Sequence, residues 1–214
     1  MSPFRMPAEW EPHTATWLGW PHNASDWPGK FSPVPWVFGE MVRKIVPGET
    51  ARIIVESPAH EAKARRVLSR AGVDLSRVEF FRFPTDRGWT RDSGPIFVVD
   101  ERGAPEAVIA AFRFHAWAKY PDWKKDEKVP GRAARALGLR LIRPEAGGRQ
   151  VVLEGGAIDV NGRGALIATE ECLLDPQVQA RNPGMTKEEL EGVFREYLGA
   201  ANVIWLGKGI AGDD

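Results

Sequence analysis

Two stretches of this sequence are built on one plan, and that plan constrains the fold more than any other feature. In Asp92–Gly103, DSGPIFVVDERG, and in Glu154–Gly164, EGGAIDVNGRG, an acid stands near glycine, apolar residues alternate, and the chain turns on Arg-Gly. Asp92 lies over Glu154, Gly94 over Gly156, Ile96 over Ile158 and Val98 over Val160, at an offset of 62 residues. A further step of 60 residues reaches Asp214 in the terminal GDD. A fixed period of this size is the mark of a repeat architecture, and radial repeats place equivalent ends of their units around one centre. Three acids at equivalent strand ends are therefore expected to converge.

The elements between these points mix strands and helices. Residues 7–36 carry six prolines and five of the nine tryptophans, and read as turns and short extended pieces. Helical spacing begins around Val37 and runs to Ile45, and ARIIVESP follows as a short buried strand with a turn behind it. AHEAKARRVLSRAG is a helix stopped by Gly72; VEFFRFP, GPIFVVDERG and PEAVIAAFRF are strands. KVPGRAARALGL is a helix before the strand RLIRPE. QVVLEGGAIDVNGRGALIATEECLL reads as strand, turn and hairpin, with Asn161-Gly162 signalling a type I′ turn and Cys172 in a strand-and-turn context. TKEELEGVFREYLG is an amphipathic helix with a Thr-x-x-Glu capping box at Thr186 and Glu189 and a stop at Gly199, and NVIWLGKGI is a last strand.

Composition removes several classes of function. With 29 basic and 29 acidic residues the net charge is +0, which leaves no overall attraction to nucleic acid or to an anionic membrane. No run approaches the ~20 apolar residues that span a bilayer, and MSPFRMPAEW lacks a signal-peptide core, so the expected location is the cytoplasm. Cys172 is the single cysteine, which forbids an internal disulfide and argues against a thiolate metal site.

Converging carboxylates repel one another, at roughly 4 kcal/mol for a pair 4 Å apart in a surface-like dielectric, so the site calls for a cation. A hard metal ion is one candidate and a guanidinium, whose planar fork accepts carboxylates in bidentate fashion, is the other. Trp89, three positions before Asp92, and the N-terminal tryptophans favour the guanidinium, since aromatic faces attract organic cations and do nothing for a hard metal.

The segments MPAEWEPHTATWLGWP, RGWTRDSGP, FHAWAKYPDW, VVLEGGAIDVNGRG, ATEECLL, RNPGMTKEELEGVFREYLG and VIWLGKGIAGDD, in this order from Met6 to Asp214, resemble the agmatine deiminase family, also called the bacterial peptidyl-arginine deiminase-like family. The resemblance implies an α/β chain with the pentein fold, a five-bladed αβ-propeller around a funnel, of which residues 1–214 would be a single incomplete domain covering roughly the first three units. It implies hydrolysis of agmatine to N-carbamoylputrescine and ammonia, a step towards putrescine in polyamine biosynthesis, through a cysteine-bound thiouronium intermediate and with no metal or organic cofactor. Free or peptidyl arginine is the alternative substrate. In the family, the GDD segment continues into Gly-His-x-Asp, and a nucleophilic cysteine follows near the C-terminus. His13, His22, His60 and His115 do not match that histidine, nor Cys172 that cysteine, so the chain alone is expected to be inactive.

By the same resemblance Asp92 binds the guanidinium, Glu154 orients the histidine or touches the guanidinium, Trp89 walls the substrate tunnel and Asp214 receives the substrate's amino tail. Each has a plainer counterpart: a turn cap for Asp92, a strand-end carboxylate facing water for Glu154 and core packing for Trp89; Trp17 and Trp20, beside Pro21, are expected to pack, with lining of the funnel mouth as the alternative. Arg91 is expected to brace its loop through an ion pair with Asp86, and Gly155 and Gly156 to be positions of close backbone approach. The partners expected are a small guanidine and, because an unclosed propeller leaves sheet edges open, a second copy or the C-terminal segment of the family. A truncated pentein that binds a cation or a partner chain without chemistry is the reading from a different class.

Overall fold

The computed structural model describes residues 2–210. In chain order its strands and α-helices are β1 (Phe4–Arg5), β2 (Ala15–Gly19), α1 (Val34–Ile45), β3 (Thr50–Val55), α2 (Pro58–Arg70), β4 (Val78–Arg82), α3 (Thr90–Ser93), β5 (Ile96–Asp100), β6 (Glu106–Ala110), α4 (Val129–Leu137), β7 (Arg140–Ile142), β8 (Glu145–Ala146), β9 (Arg149–Gln150), β10 (Asp159–Val160), β11 (Ala165–Thr169), α5 (Glu170–Leu173), α6 (Lys187–Leu198) and β12 (Asn202–Leu206). They form two compact units. The smaller is Pro12–Thr90 with Trp123–Asp126; the larger holds the residues up to Glu11, Arg91–Asp122, and the chain from Glu127 onward.

The smaller unit is a three-stranded parallel sheet in the order β2-β3-β4, crossed over by α1 and α2. Proline in the first turn of each helix costs nothing, because the first helical N–H groups have no partner within the helix. Ser57 caps α2 by accepting from the His60 backbone N–H at 3.2 Å, and Gly72 takes the left-handed φ of +73° just beyond its end. Val42, Ile53, Ala64 and Leu68 are fully enclosed between sheet and helices, each apolar side chain contributing on the order of 1–3 kcal/mol by its burial. Trp20 belongs to this core and Trp17 stacks on Phe81 at 4.7 Å, so both tryptophans pack.

The larger unit states its repeat in strand order. β5 and β6 form an antiparallel hairpin, and β7 returns parallel to β6 after α4; β10 and β11 form an antiparallel hairpin, and β12 returns parallel to β11 after α5 and α6. β1 adds antiparallel to the free edge of β5. The two halves share one core, in which Val98, Val108, Val151, Leu166, Leu190 and Phe194 are fully buried. The third occurrence of the repeat, at GDD, lies outside the described residues. The parallel unit lacks the hairpin, so within the described residues the hairpin-and-crossover plan occurs twice.

Alternation along β11 and β12 puts Leu166 and Ala168 into the core and leaves Ile167, Ile204 and Leu206 exposed on the opposite face. The β10–β11 connection differs from the type I′ expectation. Asn161 does not adopt the positive φ that such a turn requires; its Oδ1 accepts from the backbone N–H groups of Arg163 and Ala165, and Gly162 and Gly164 supply the left-handed positions of a longer loop. Cys172 also differs: it lies in the short helix α5, whose N-terminus Thr169 caps by accepting from the Cys172 N–H at 3.2 Å.

Candidate functional site

Asp92 sits in the one-turn helix α3 immediately before β5, so the aspartate at the mouth of the strand is held by helix geometry. It lines a recess with Ser93, Ile96, Phe112, Phe114 and Glu127, among others. The recess has a volume of about 240 Å³ and opens to solvent. Glu127 is a second carboxylate at this recess, and its Oε1 accepts from Arg113 Nε at 2.9 Å.

Glu154 stands at the equivalent point of the second hairpin, as the N-cap of a 3₁₀ turn over Gly155–Ala157. Both glycines are used for close approach: a methyl on Gly155 would overlap the Arg91 carbonyl oxygen, and one on Gly156 would overlap the Asp92 carboxylate. The entries to the two hairpins are thus packed directly against each other. Glu154 itself is 1% exposed and is not among the residues lining the recess; the adjoining Leu153 is. Its two carboxylate oxygens accept from Arg181 Nε, each at 3.4 Å.

His115 shares this environment. Burial pulls its imidazole below the usual histidine range, while the Glu154 charge and the Arg181 backbone carbonyl oppose the shift and the Arg181 and Arg113 charges add to it. Nδ1 accepts from the Ala118 N–H at 3.1 Å, which leaves the other ring nitrogen to donate to the Arg181 carbonyl. Ala116, Trp117 and Ala118 carry φ of 51°, 59° and 54°, a left-handed turn that costs about 1–2 kcal/mol per residue with a side chain.

Arg91 does brace its loop, but its carboxylate partners are Glu9 and Asp159; Asp86 instead pairs with Lys125 at 3.2 Å. The register of the hairpin, invisible to local pattern, brings Asp159 to Arg91. Trp89 is 39% exposed and stacks on Trp27 with ring centres 5.5 Å apart, inside the smaller unit. Asp214 lies outside the described residues. Glu127, His115 and Arg181 were missed in the sequence because each is joined to the site by tertiary contact; the available signal was Glu154 itself, a carboxylate between Leu153 and two glycines that burial would force to find a cation. Among the described residues no group of three His, Cys, Asp or Glu side chains could hold a metal ion, and no helix is long and apolar enough to cross a membrane.

Repeated hairpin-and-crossover units with an acid at each entry define a mixed α/β chain with a carboxylate-bearing recess. Residues 5–214 match the model of the Porphyromonas-type peptidyl-arginine deiminase family, and the chain belongs to that family. The agmatine deiminase of Ectopseudomonas mendocina (strain ymp) is 36% identical over 216 residues, covering 99% of this chain and 55% of that protein. That of Pseudomonas aeruginosa (strain LESB58) is 33% identical over the same shares. Among solved structures, agmatine deiminase of Enterococcus faecalis superposes with a TM-score of 0.82 at 29% identity, over 96% of this chain and 53% of that one. A C. jejuni agmatine deiminase solved with substrate bound gives 0.78 at 25% identity, over 97% and 57%. The chain spans about half the length of the curated relatives it matches.

Proposed function

We propose that this chain supplies the guanidinium-binding part of an agmatine deiminase built as a five-bladed αβ-propeller. The observation that carries the reading is Asp92, which lines a recess with Phe112 and Phe114 and whose carboxylate packs against Gly156, two residues after Glu154. A carboxylate beside aromatic faces suits a planar organic cation, and the names of the relatives point to agmatine as that cation.

In this mechanism Asp92 accepts hydrogen bonds from the guanidinium nitrogens and keeps the charge on the group, so that its carbon stays electrophilic. A cysteine thiolate from the family's C-terminal part attacks that carbon, ammonia leaves with a proton from a histidine, and a tetrahedral carbon collapses to the thiouronium. Water activated by the same histidine then releases the thiolate and the ureido product, N-carbamoylputrescine. Glu154 is the second carboxylate, for the guanidinium or for the histidine, and Asp214 meets the substrate's amino tail.

The test is ammonia release by the protein carrying the sequence that follows Asp214, with agmatine, free arginine and a peptidyl arginine compared. Agmatine is expected to give the highest kcat/KM. Asp92→Asn is expected to lower that value at least ~100-fold with the circular dichroism spectrum unchanged, the usual scale for removing charge from a buried ionic contact. Residues 1–214 alone should release none. Turnover of none of the three guanidines would overturn the reading.

A further inference from the structure

Glu154 is pinned from two sides, and the pins are unusual. Residues 150–154 run beside 111–113, with the Arg113 N–H donating to the Val151 carbonyl at 2.9 Å and the Leu153 N–H to the Arg113 carbonyl at 3.2 Å. On the other flank Asn182 imitates a strand: its Nδ2 donates to the Val152 carbonyl at 2.8 Å and its Oδ1 accepts from the Val152 N–H at 2.9 Å. With Asn182 docked on Val152, the preceding residue reaches Glu154, two positions along. Arg181 is 9% exposed, its Nε shared between both carboxylate oxygens and its Nη1 donating to the Gln179 carbonyl at 2.8 Å.

Backbone strain marks the same place. Among the described residues, the non-glycine positions with positive φ are Ala116, Trp117, Ala118 and Gln179. The first three form the turn that supplies the Nδ1 contact of His115, and Gln179, at φ 49°, supplies the carbonyl that orients Arg181. Unfavourable backbone persists where surrounding structure over-determines it, and it gathers at working sites. Both strained loops end on Glu154 and its neighbours.

We infer that Arg181 is a positioning residue: a fixed internal guanidinium that neutralises the enclosed Glu154 carboxylate and sets its direction, so that Glu154 can serve the reacting groups without moving. Its role in turnover rests on the deiminase reading given above. Arg181 is matched to the task by a rigid fork that binds the carboxylate and the Gln179 carbonyl together, which an ammonium does less well. Taking it away leaves a carboxylate enclosed without its cation, the costly case for a buried pair.

The experiment compares Arg181→Met, Arg181→Lys, Glu154→Gln and the Arg181→Met/Glu154→Gln double variant in the full-length protein. Arg181→Met is expected to lower kcat for agmatine at least ~10-fold with KM within about threefold, and Arg181→Lys, which keeps the charge and loses the fork, to restore part of it. The double variant should be no slower than Glu154→Gln alone, since both substitutions break one unit. A second readout needs no turnover. The His115 imidazole, followed by NMR, should titrate at higher pH in Arg181→Met, because a nearby positive charge that lowers it is gone, and return towards the parent value in Arg181→Lys. Should Arg181→Met not fold, Asn182→Ala loosens the same anchor without stranding a charge and is expected to lower kcat in the same way. Losses that multiply in the double variant, or an unchanged kcat with an unmoved His115 titration, would overturn the inference. Absence of any guanidine turnover would remove the deiminase reading, leaving the His115 titration and additivity in urea unfolding to judge the clamp.

Discussion

Adjacent glycines can fail in different ways, and Gly155 and Gly156 show how. A methyl at Gly155 meets the backbone carbonyl of Arg91, which cannot give without moving α3; a methyl at Gly156 meets the end of the Asp92 side chain, which can rotate. Gly155→Ala is therefore expected to destabilise the fold by about 1–3 kcal/mol, the usual cost of overpacking. Gly156→Ala should cost less than ~1 kcal/mol in stability while displacing the carboxylate and, on the deiminase function proposed above, reducing guanidine turnover about as severely as Asp92→Asn. Urea unfolding and steady-state kinetics on the two variants separate these effects, and equal stability losses with equal activity would contradict the placement of Asp92. The lesson extends to reading sequences. EGG announced close approach, but which glycine guards the backbone and which the carboxylate depends on packing that neither residue encodes locally.

Elements whose signals are complete within one turn were legible from the sequence. In α6 the Thr186 hydroxyl accepts from the Glu189 N–H at 3.2 Å, the Glu189 carboxylate accepts from the Thr186 N–H at 2.8 Å, and Gly199 closes the helix at φ 70°. Thr186→Ala is expected to cost about 1 kcal/mol, measurable as a lowered urea midpoint with an unchanged slope. Alternating apolar residues marked β5, β6, β7, β11 and β12 as strands and helical spacing marked α4 and α6, whereas the parallel pairing of β7 with β6 and of β12 with β11 is set by tertiary packing. One-turn helices were not legible: α3 reads as a turn because Asp, Ser, Gly and Pro are turn residues, and α5 hides behind a strand because Thr169 caps it as the strand ends. The site divides in the same way. Asp92 and Glu154 stood out by periodicity, whereas Arg181 reaches Glu154 across 27 residues through the Asn182 docking, and no local pattern carries that distance.

At the scale of the whole molecule, pH acts through two kinds of group. Burial lowers the imidazoles of His60 and His115, so the unfolded chain binds their protons first; the stability they lend is complete above pH ~6.5 and is lost as pH falls through their folded values. Asp100, held by Arg102 and Arg140, is lowered far below the usual carboxylate range, so its contribution is complete above pH ~4 and is lost only in stronger acid. Thermal unfolding followed from pH 8 into strong acid, to about pH 1.5, should therefore decline in two stages, the first absent from a His60→Gln/His115→Gln variant and the second reduced in Asp100→Asn. A single acid transition in the parent chain would contradict this. The balance of charge has a different consequence when joined to the uncovered Ile167, Ile204 and Leu206 face. With an isoelectric point near 6.9, two copies in neutral buffer meet with almost no long-range repulsion, and the sign of the osmotic second virial coefficient is left to short-range apolar contact. Such attraction weakens on cooling and strengthens with sulfate, so the chain's colloidal behaviour follows the thermodynamics of water at one sheet face.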